Sequence, residues 1–277
     1  MTLEWLQWII IIFLLLLPVL YELNKTFKYY VKYTLFISVT MLIFALVAIY
    51  LFPRVIMGER HPKNVKYLIY WVKIERRLFG LSMDIRGREH VEANKPCIIV
   101  CNHQSALDMF GSMAIWPESC SVMVKKSLLY TGSLGLAMWM VGTVFVDRTN
   151  RKEAASILSE TSEHIKKEKI SIIIFPEGTR NPAPEMLPFK KGAFNLAVLS
   201  QIPIVPVVFS SYSQFYSKKE KIFNPGKFII TCLPPISTEG KKLEDVAELA
   251  ESVRSQMMEV FKKTSLESTQ ANPVTSQ

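Results

Sequence analysis

The stretch NHQSALD, residues 102 to 108, follows the apolar run PCIIVC and sets a histidine and an aspartate five positions apart. Five helical residues turn through about 500°, so His103 and Asp108 would not share a helix face. They meet only if His103 precedes the helix and folds back over its first turn. An Asp carboxylate then holds the Nδ1 proton and leaves Nε2 free as a base. This is two thirds of a catalytic triad without a nucleophile. No G-x-S-x-G elbow occurs, and Ser105 has no oxyanion-hole signal beside it. Strand alternation can bring Cys101 to the side of His103, yet a cysteine in IIVC is more often an inert core residue. If neither attacks, the histidine must activate a hydroxyl or water that the substrate brings. For the pair without context, a histidine hydrogen-bonded near a helix start carries more weight than a base.

A second candidate is IIIFPEGTR, an apolar run ending at Phe175 and entering a turn. Gly178 permits close backbone approach, Thr179 and Arg180 offer donors, and Glu177 can orient the arginine or cap a helix. A guanidinium at a strand end suits a phosphate or other oxyanion, which it matches bidentately. In isolation the hexamer also reads as a surface turn with a salt bridge. GTVFVDR brings Asp147 and Arg148 to another strand end, VKKSLLYTG brings Lys125 and Lys126, and LPFKKGAF adds Lys190 and Lys191. Singly these are solvated charges. Grouped at strand ends, where open α/β sheets bind ligands, they suggest an anion site. His61, His90 and His164 stand in no metal-ligand spacing to His103, and no metal is assigned.

The elements that would position these residues are short apolar runs alternating with helical patterns. Strands are predicted at 97–101, 121–124, 143–146, 171–175, 204–208 and 228–233, and helices near 106–116, 133–140, 151–168, 192–200 and 243–263. Near-continuous apolar strands between helices predict an α/β domain whose mostly parallel central sheet is buried on both faces and flanked by helices.

Two longer apolar segments, 3–20 and 34–52, approach the ~20 residues that a helix needs to cross a hydrocarbon core. The first has no basic start or small-residue cleavage site and is a poor signal peptide. The expected organisation is a two-helix membrane anchor over 1–55, one catalytic-sized domain over 56–265 and a disordered tail over 266–277. Residues 64–79 mix apolar and basic positions at helical spacing, as an interfacial amphipathic helix or an ordinary helix with a basic outer face does. Of 277 residues 49% are hydrophobic, and the net charge is +9. That balance fits a membrane surface or an anionic substrate. The basic residues are scattered without a nucleic-acid-binding signature, so no nucleic acid partner is expected. The four cysteines, Cys97, Cys101, Cys120 and Cys232, lack C-x-x-C spacing and are expected to be reduced thiols in a cytosol-facing domain.

In order, NHQSALD, GTVFVDR, FPEGTR and IPIVPVV resemble the four sequence blocks of the glycerolipid acyltransferase superfamily. The fuller stretch FPEGTRNPAPEMLPFKKGAFNLAV and the paired N-terminal spans resemble the eukaryotic 1-acyl-sn-glycerol-3-phosphate acyltransferases in particular. The resemblance covers roughly residues 80–260 and reverses the weighting of His103. It implies that His103, oriented by Asp108, deprotonates the 2-hydroxyl of lysophosphatidate for attack on an acyl-CoA thioester, without an acyl-enzyme. It also implies a glycerol-phosphate site at Glu177, Gly178, Thr179 and Arg180 with Arg148 beside it, and an acyl site lined by Val205, Pro206 and Val207. Lys125 matches the basic residue of the family's K-x-E-L segment, but Ser127 stands at the usual acidic position. Acyl-CoA is then a cosubstrate, no cofactor is required, and the location implied is the endoplasmic reticulum membrane with the domain facing the cytosol. Competing expectations are the same transfer onto another lysophospholipid, thioester hydrolysis, and a non-catalytic scaffold that binds anionic lipid.

Overall fold

The structure is a computed structural model that describes residues 2–92, 95–147 and 150–271. Two long helices come first, α1 (Thr2–Leu23) and α2 (Lys25–Ile56). The chain breaks between them at Asn24, whose extended backbone and side-chain oxygen, accepting from Phe27 N at 2.9 Å, cap the start of α2. Helix α3 (Val65–Leu78) then leads into the first strand.

The central sheet has seven strands: β1 (Leu81–Arg86), β2 (Ile98–Cys101), β3 (Cys120–Lys125), β4 (Val144–Val146), β5 (Ser171–Ile174), β6 (Ile204–Phe209) and β9 (Gly226–Cys232). Their order is β1-β9-β6-β2-β5-β3-β4, and every neighbouring pair is parallel except β6 with β9. A short hairpin, β7 (Tyr216–Ser217) with β8 (Ile222–Phe223), lies outside it. The remaining helices are α4 (Asp108–Ala114), α5 (Ser133–Met140), α6 (Arg151–Glu168), α7 (Gly192–Ser200) and α8 (Val246–Ala271).

The continuous apolar strands are buried on both sides, and alternation sorts their residues between two cores. Ile99, Cys101, Ile173, Val205 and Val207 face a core shared with α2, α3 and α4. Ile98, Val100, Ile172, Ile174, Ile204 and Val208 face a core shared with α6, α7 and α8. Full burial of each such side chain contributes roughly 1.5–3 kcal/mol, so β2, β5 and β6 form the rigid centre of the sheet. β1 is missed by the sequence pattern because LSMDIR carries Asp84 and Arg86 and sits at the edge, where only partial burial is needed.

α2 packs one face against the rest of the fold. Phe36 lies in the same core as the sheet, and Phe44, Val47 and Leu51 pack with Leu68 of α3 and Ala137 and Met140 of α5. A helix apolar on all sides can bury one face in protein while Leu35, Leu42, Leu46 and Ile49 remain exposed on the other. α1, by contrast, exposes its apolar side chains from Trp5 to Leu16. The last helix continues through 266–271 instead of giving way to a tail at 266. Buried Ser268 donates to Lys227 O at 3.1 Å and Glu267 accepts from Arg86 at 2.7 Å, so a polar sequence is tied to the sheet edge. Residues 272–277 lie outside the described chain.

Candidate active site

β2 ends at Cys101, and the next three side chains build the site. Asn102 is buried and hydrogen-bonds twice to Phe209 at the end of β6: Nδ2 donates to Phe209 O at 3.0 Å, and Oδ1 accepts from Phe209 N at 2.8 Å. Gln104 Nε2 donates to Phe209 O and Ser210 O, both at 3.0 Å. These amides fix the loop to the neighbouring strand and turn His103 outward between them.

Asp108 is the first residue of α4, so His103 precedes the helix and folds back over its first turn. His103 Nδ1 lies 2.6 Å from Asp108 Oδ2, which also accepts from the backbone N–H groups of Gln104 at 2.7 Å and Ser105 at 3.0 Å. An oxygen already accepting two N–H groups takes a third donor, so Nδ1 carries a proton, and in the neutral imidazole Nε2 is the nitrogen left free. Asp108 is 2% exposed at its side chain and His103 22%, so of the pair the histidine is the more open to a ligand. The Phe175 ring supports the imidazole at a centroid distance of 4.3 Å.

The second block, after β5, clamps the backbone of His103 from both sides. Glu177 Oε1 accepts from His103 N at 2.8 Å, and Asn181 N donates to His103 O at 2.7 Å. Glu177 Oε2 accepts from Leu187 N at 2.9 Å and from Asn181 Nδ2 at 3.3 Å. Glu177 is buried, and both of its oxygens accept from these N–H groups. Gly178 sits at φ +73°, a backbone conformation that glycine adopts without Cβ strain, and its N–H closes a turn onto Phe175 O at 3.2 Å. Thr179 and Arg180 are exposed.

A cavity of about 280 Å³ opens beside His103. Arg180 and Phe175 line it with the histidine, and its walls are apolar, including Phe36 and Phe44 of α2, Leu68 of α3, Met113 of α4 and Met138 of α5. Val205, Pro206 and Val207 do not line it. They are buried in the middle of β6, where Val205 and Val207 pack into the core shared with α2, α3 and α4. Lys125 is exposed at the end of β3 and is also absent from the lining, whereas Val122 and Val124 of that strand contribute to it. Lys126 pairs with Glu153 at 2.6 Å. Arg148 falls outside the described residues.

Neither Cys101 nor Ser105 is placed as a nucleophile. Cys101 is fully buried, and burial, then the Cys232 and Asp108 charges, pushes its thiol well above the ordinary cysteine range. Ser105 Oγ accepts from Leu107 N at 3.0 Å and serves the turn into α4. The four cysteines are free and buried, and among the described residues no three His, Cys, Asp or Glu side chains form a metal-ligand group. Tyr212 lies in the loop after β6 with its phenol raised well above the ordinary range, first by burial and then by the adjoining Asp108 carboxylate. Neither its hydroxyl nor Asp108 Oδ1 has a hydrogen-bond partner among the described residues. Asn102, Gln104, Asn181 and Tyr212 were not singled out from the sequence. Asn102 and Gln104 flank the histidine in the quoted motif, and polar amides at the end of an all-apolar strand were the available signal.

A carboxylate-held histidine thus lines an apolar cavity together with a guanidinium, on a mostly parallel α/β sheet. Residues 82–210 match the Acyltransferase family profile. A 1-acyl-sn-glycerol-3-phosphate acyltransferase alpha of Homo sapiens is 40% identical over 250 residues, covering 90% of this chain and 87% of its own. The 1-acyl-sn-glycerol-3-phosphate acyltransferase of Saccharomyces cerevisiae is 42% identical over 210 residues, 75% of this chain and 69% of its own. The chain belongs to the 1-acyl-sn-glycerol-3-phosphate acyltransferase family. It also shares its fold with the crystal structure of the 1-acyl-sn-glycerophosphate acyltransferase PlsC from Thermotoga maritima, at a TM-score of 0.66 and 21% identity, covering 86% of this chain and 99% of that one.

Proposed function

We propose that the protein transfers a fatty acyl group from acyl-CoA to the sn-2 hydroxyl of 1-acyl-sn-glycerol 3-phosphate, giving phosphatidate and CoA. The observation that carries this reading is the imidazole of His103, held by Asp108, on the lining of an apolar cavity that Arg180 also lines. His103 takes the proton of the lipid hydroxyl as its oxygen attacks the thioester carbonyl. The new C–O bond forms, the C–S bond breaks, and the imidazolium returns its proton to the CoA thiolate. Asp108 holds the imidazole in the required tautomer and offsets the charge it gains. Arg180 meets the acceptor phosphate as a bidentate donor, and the cavity walls take the acyl chain and exclude water, which would otherwise hydrolyse the thioester.

The same reading places the enzyme at the endoplasmic reticulum membrane with its catalytic domain on the cytosolic side. Both ends of α2 touch that domain: Lys32 Nζ donates to Phe223 O at 2.9 Å, and Arg54 donates to Tyr67 of α3 at 3.0 Å. α2 therefore runs along the domain as a seam, with its outer face and α1 available to lipid, an arrangement that suits a hairpin seated in one leaflet. The +9 chain attracts anionic headgroups to that surface.

The test is acyl transfer from radiolabelled oleoyl-CoA by the purified protein in mixed micelles, with a panel of lysophospholipid acceptors. Label enters phosphatidate, and His103→Ala abolishes it while membrane association persists. Label in a choline or ethanolamine phospholipid would change the acceptor. Free fatty acid released equally with and without acceptor would make the enzyme a hydrolase, and activity in His103→Ala would remove the histidine as base.

A further inference from the structure

A second recess, of about 300 Å³, lies between α3, β1 and α4. Four cations line it, Lys73, Arg76, Arg77 and Arg88, above a floor that includes Met83, Ile85 and Phe110. Arg76 Nη1 donates to Leu81 O at 2.6 Å and is held in place, and Arg88 pairs with Glu92 at 2.6 Å. Among the described residues Lys73 and Arg77 have no ion pair and are exposed. A basic last turn complements a helix dipole, but that does not account for Lys73 one turn earlier, for Arg88 from the opposite wall, or for the recess itself.

The helix explains the arrangement. α3 buries Val65, Leu68, Val72 and Glu75 along one stripe. At 100° per residue, Arg76, Lys73 and Arg77 follow on one flank of that stripe, and Tyr70, Trp71, Ile74 and Leu78 form the outward face beyond them. These four are 62%, 42%, 42% and 66% exposed. On its other flank this apolar face adjoins α2, where Tyr67 meets Tyr50 at a centroid distance of 4.8 Å. An exposed aromatic and aliphatic surface therefore continues from α2 onto α3 and ends in a row of cations above a recess. That is the profile of a surface that dips into acyl chains and meets phosphates at its rim.

We infer that this recess binds the headgroup of an anionic phospholipid of the bilayer, at a site separate from the catalytic cavity. α4 stands between the two: Asp108 at its start holds His103, and Ala114 at its end lines the recess, about 10 Å apart along the helix. Lys73 and Arg77 contact the lipid phosphate, and the glycerol and first methylenes rest on the apolar floor. The inference rests on the membrane-surface reading of the enzyme, and the bilayer supplies the ligand.

The experiment titrates the full-length protein, in neutral detergent micelles, with dioleoylphosphatidylserine or dioleoylphosphatidylcholine and counts bound lipid by native mass spectrometry. Wild type retains one phosphatidylserine in preference to phosphatidylcholine. Lys73→Gln/Arg77→Gln weakens that retention about 30-fold, from about 1 kcal/mol per cation at an anionic surface, whereas Lys262→Gln/Lys263→Gln on α8 leaves it unchanged. His103→Ala also retains the lipid, so loss of acyl transfer and loss of this site are read separately. Equal retention by wild type and Lys73→Gln/Arg77→Gln, loss of the lipid in His103→Ala, or no anionic preference in wild type would each overturn the inference. Displacement of the lipid by millimolar inorganic phosphate would overturn it as well, by making the recess a soluble-phosphate site.

Discussion

The catalytic end of the sheet and the seam between α2 and α3 each bury a carboxylate, and they treat it differently. Asp108 Oδ2 receives three N–H donors and Glu177 receives three across its two oxygens. Glu75 on α3 is 1% exposed and meets one hydroxyl, Thr40 Oγ1 at 2.5 Å, while its Oε2 has no partner among the described residues. Thr40 Oγ1 is also 2.9 Å from Phe36 O. A hydroxyl has one proton. If that proton goes to the Phe36 carbonyl, Glu75 must itself be protonated and donate to Thr40. Burial pushes the Glu75 carboxyl up to about 7, only partly offset by Thr40. The catalytic end holds charge by supplying donors, whereas the seam holds a carboxyl by letting it become neutral.

Removing the charge without the hydrogen bonds is the strongest way to break this contrast. All three donors to Asp108 converge on one oxygen, so the carbonyl of Asp108→Asn can accept them and keep the imidazole tautomer. What is lost is the negative charge opposite the imidazolium formed during transfer. Turnover should fall on the order of 10³-fold, within the usual range for general-base assistance, with the thermal midpoint little changed. A variant within tenfold of wild type would show that Asp108 acts by geometry alone.

At the seam the same kind of substitution should stabilise. Glu75 has a folded-state pKa raised above its ordinary 4.5, so its contribution is fully present below that value and is lost as pH rises through about 7. Glu75→Gln cannot ionise and escapes the loss. Relative to wild type it should gain stability at pH 8, up to about 3 kcal/mol for a shift of this size, and the gap should close below pH 4.5. Parallel denaturation curves at pH 4.5, 6 and 8 check the sign, and a constant gap would mean that Glu75 does not titrate in this window.

Glu177→Gln tests the clamp. An amide has one acceptor oxygen, so its NH₂ must face one of the N–H groups that the carboxylate now satisfies. The expected cost is about 2 kcal/mol of stability, as for a hydrogen bond to a charged group, together with a fall in kcat as the His103 backbone loosens. Unchanged stability and turnover would instead give Glu177 a place near the substrate phosphate.

His103 with Asp108 and the buried parallel strands were legible because each is a local pattern: a residue pair across a strand-to-helix turn, and apolar runs long enough to be covered on both sides. The hydrogen-bond partners of Glu177 and the burial of Val205 to Val207 were not legible, for a common reason. A motif shows which residues travel together but not which way a side chain points, and two of the three partners of Glu177 are 74 and 10 positions away in the chain. The cavity was illegible because α2 supplies much of its wall. An apolar run of this length reads as a lipid span whether or not one of its faces is buried in protein.

Tyr212→Phe probes the smallest difference between the two carboxylates, the free oxygen that each retains. The phenol of Tyr212 adjoins Asp108, although Asp108 Oδ1, the Tyr212 hydroxyl and Glu75 Oε2 all lack a hydrogen-bond partner among the described residues. The ring is packed against Phe215 and Phe228 at centroid distances of 5.7 and 5.0 Å, so the substitution removes the hydroxyl and keeps the packing. Deleting both the donor and its own buried need for a partner should cost about 1 kcal/mol or less in stability. The informative readout is kinetic. If the hydroxyl steadies Asp108 and through it His103, kcat drops a few-fold while the KM values for acyl-CoA and acceptor stay unchanged. A change in KM alone would place the effect in the cavity wall, and no change in either would leave Asp108 held entirely by its three N–H donors.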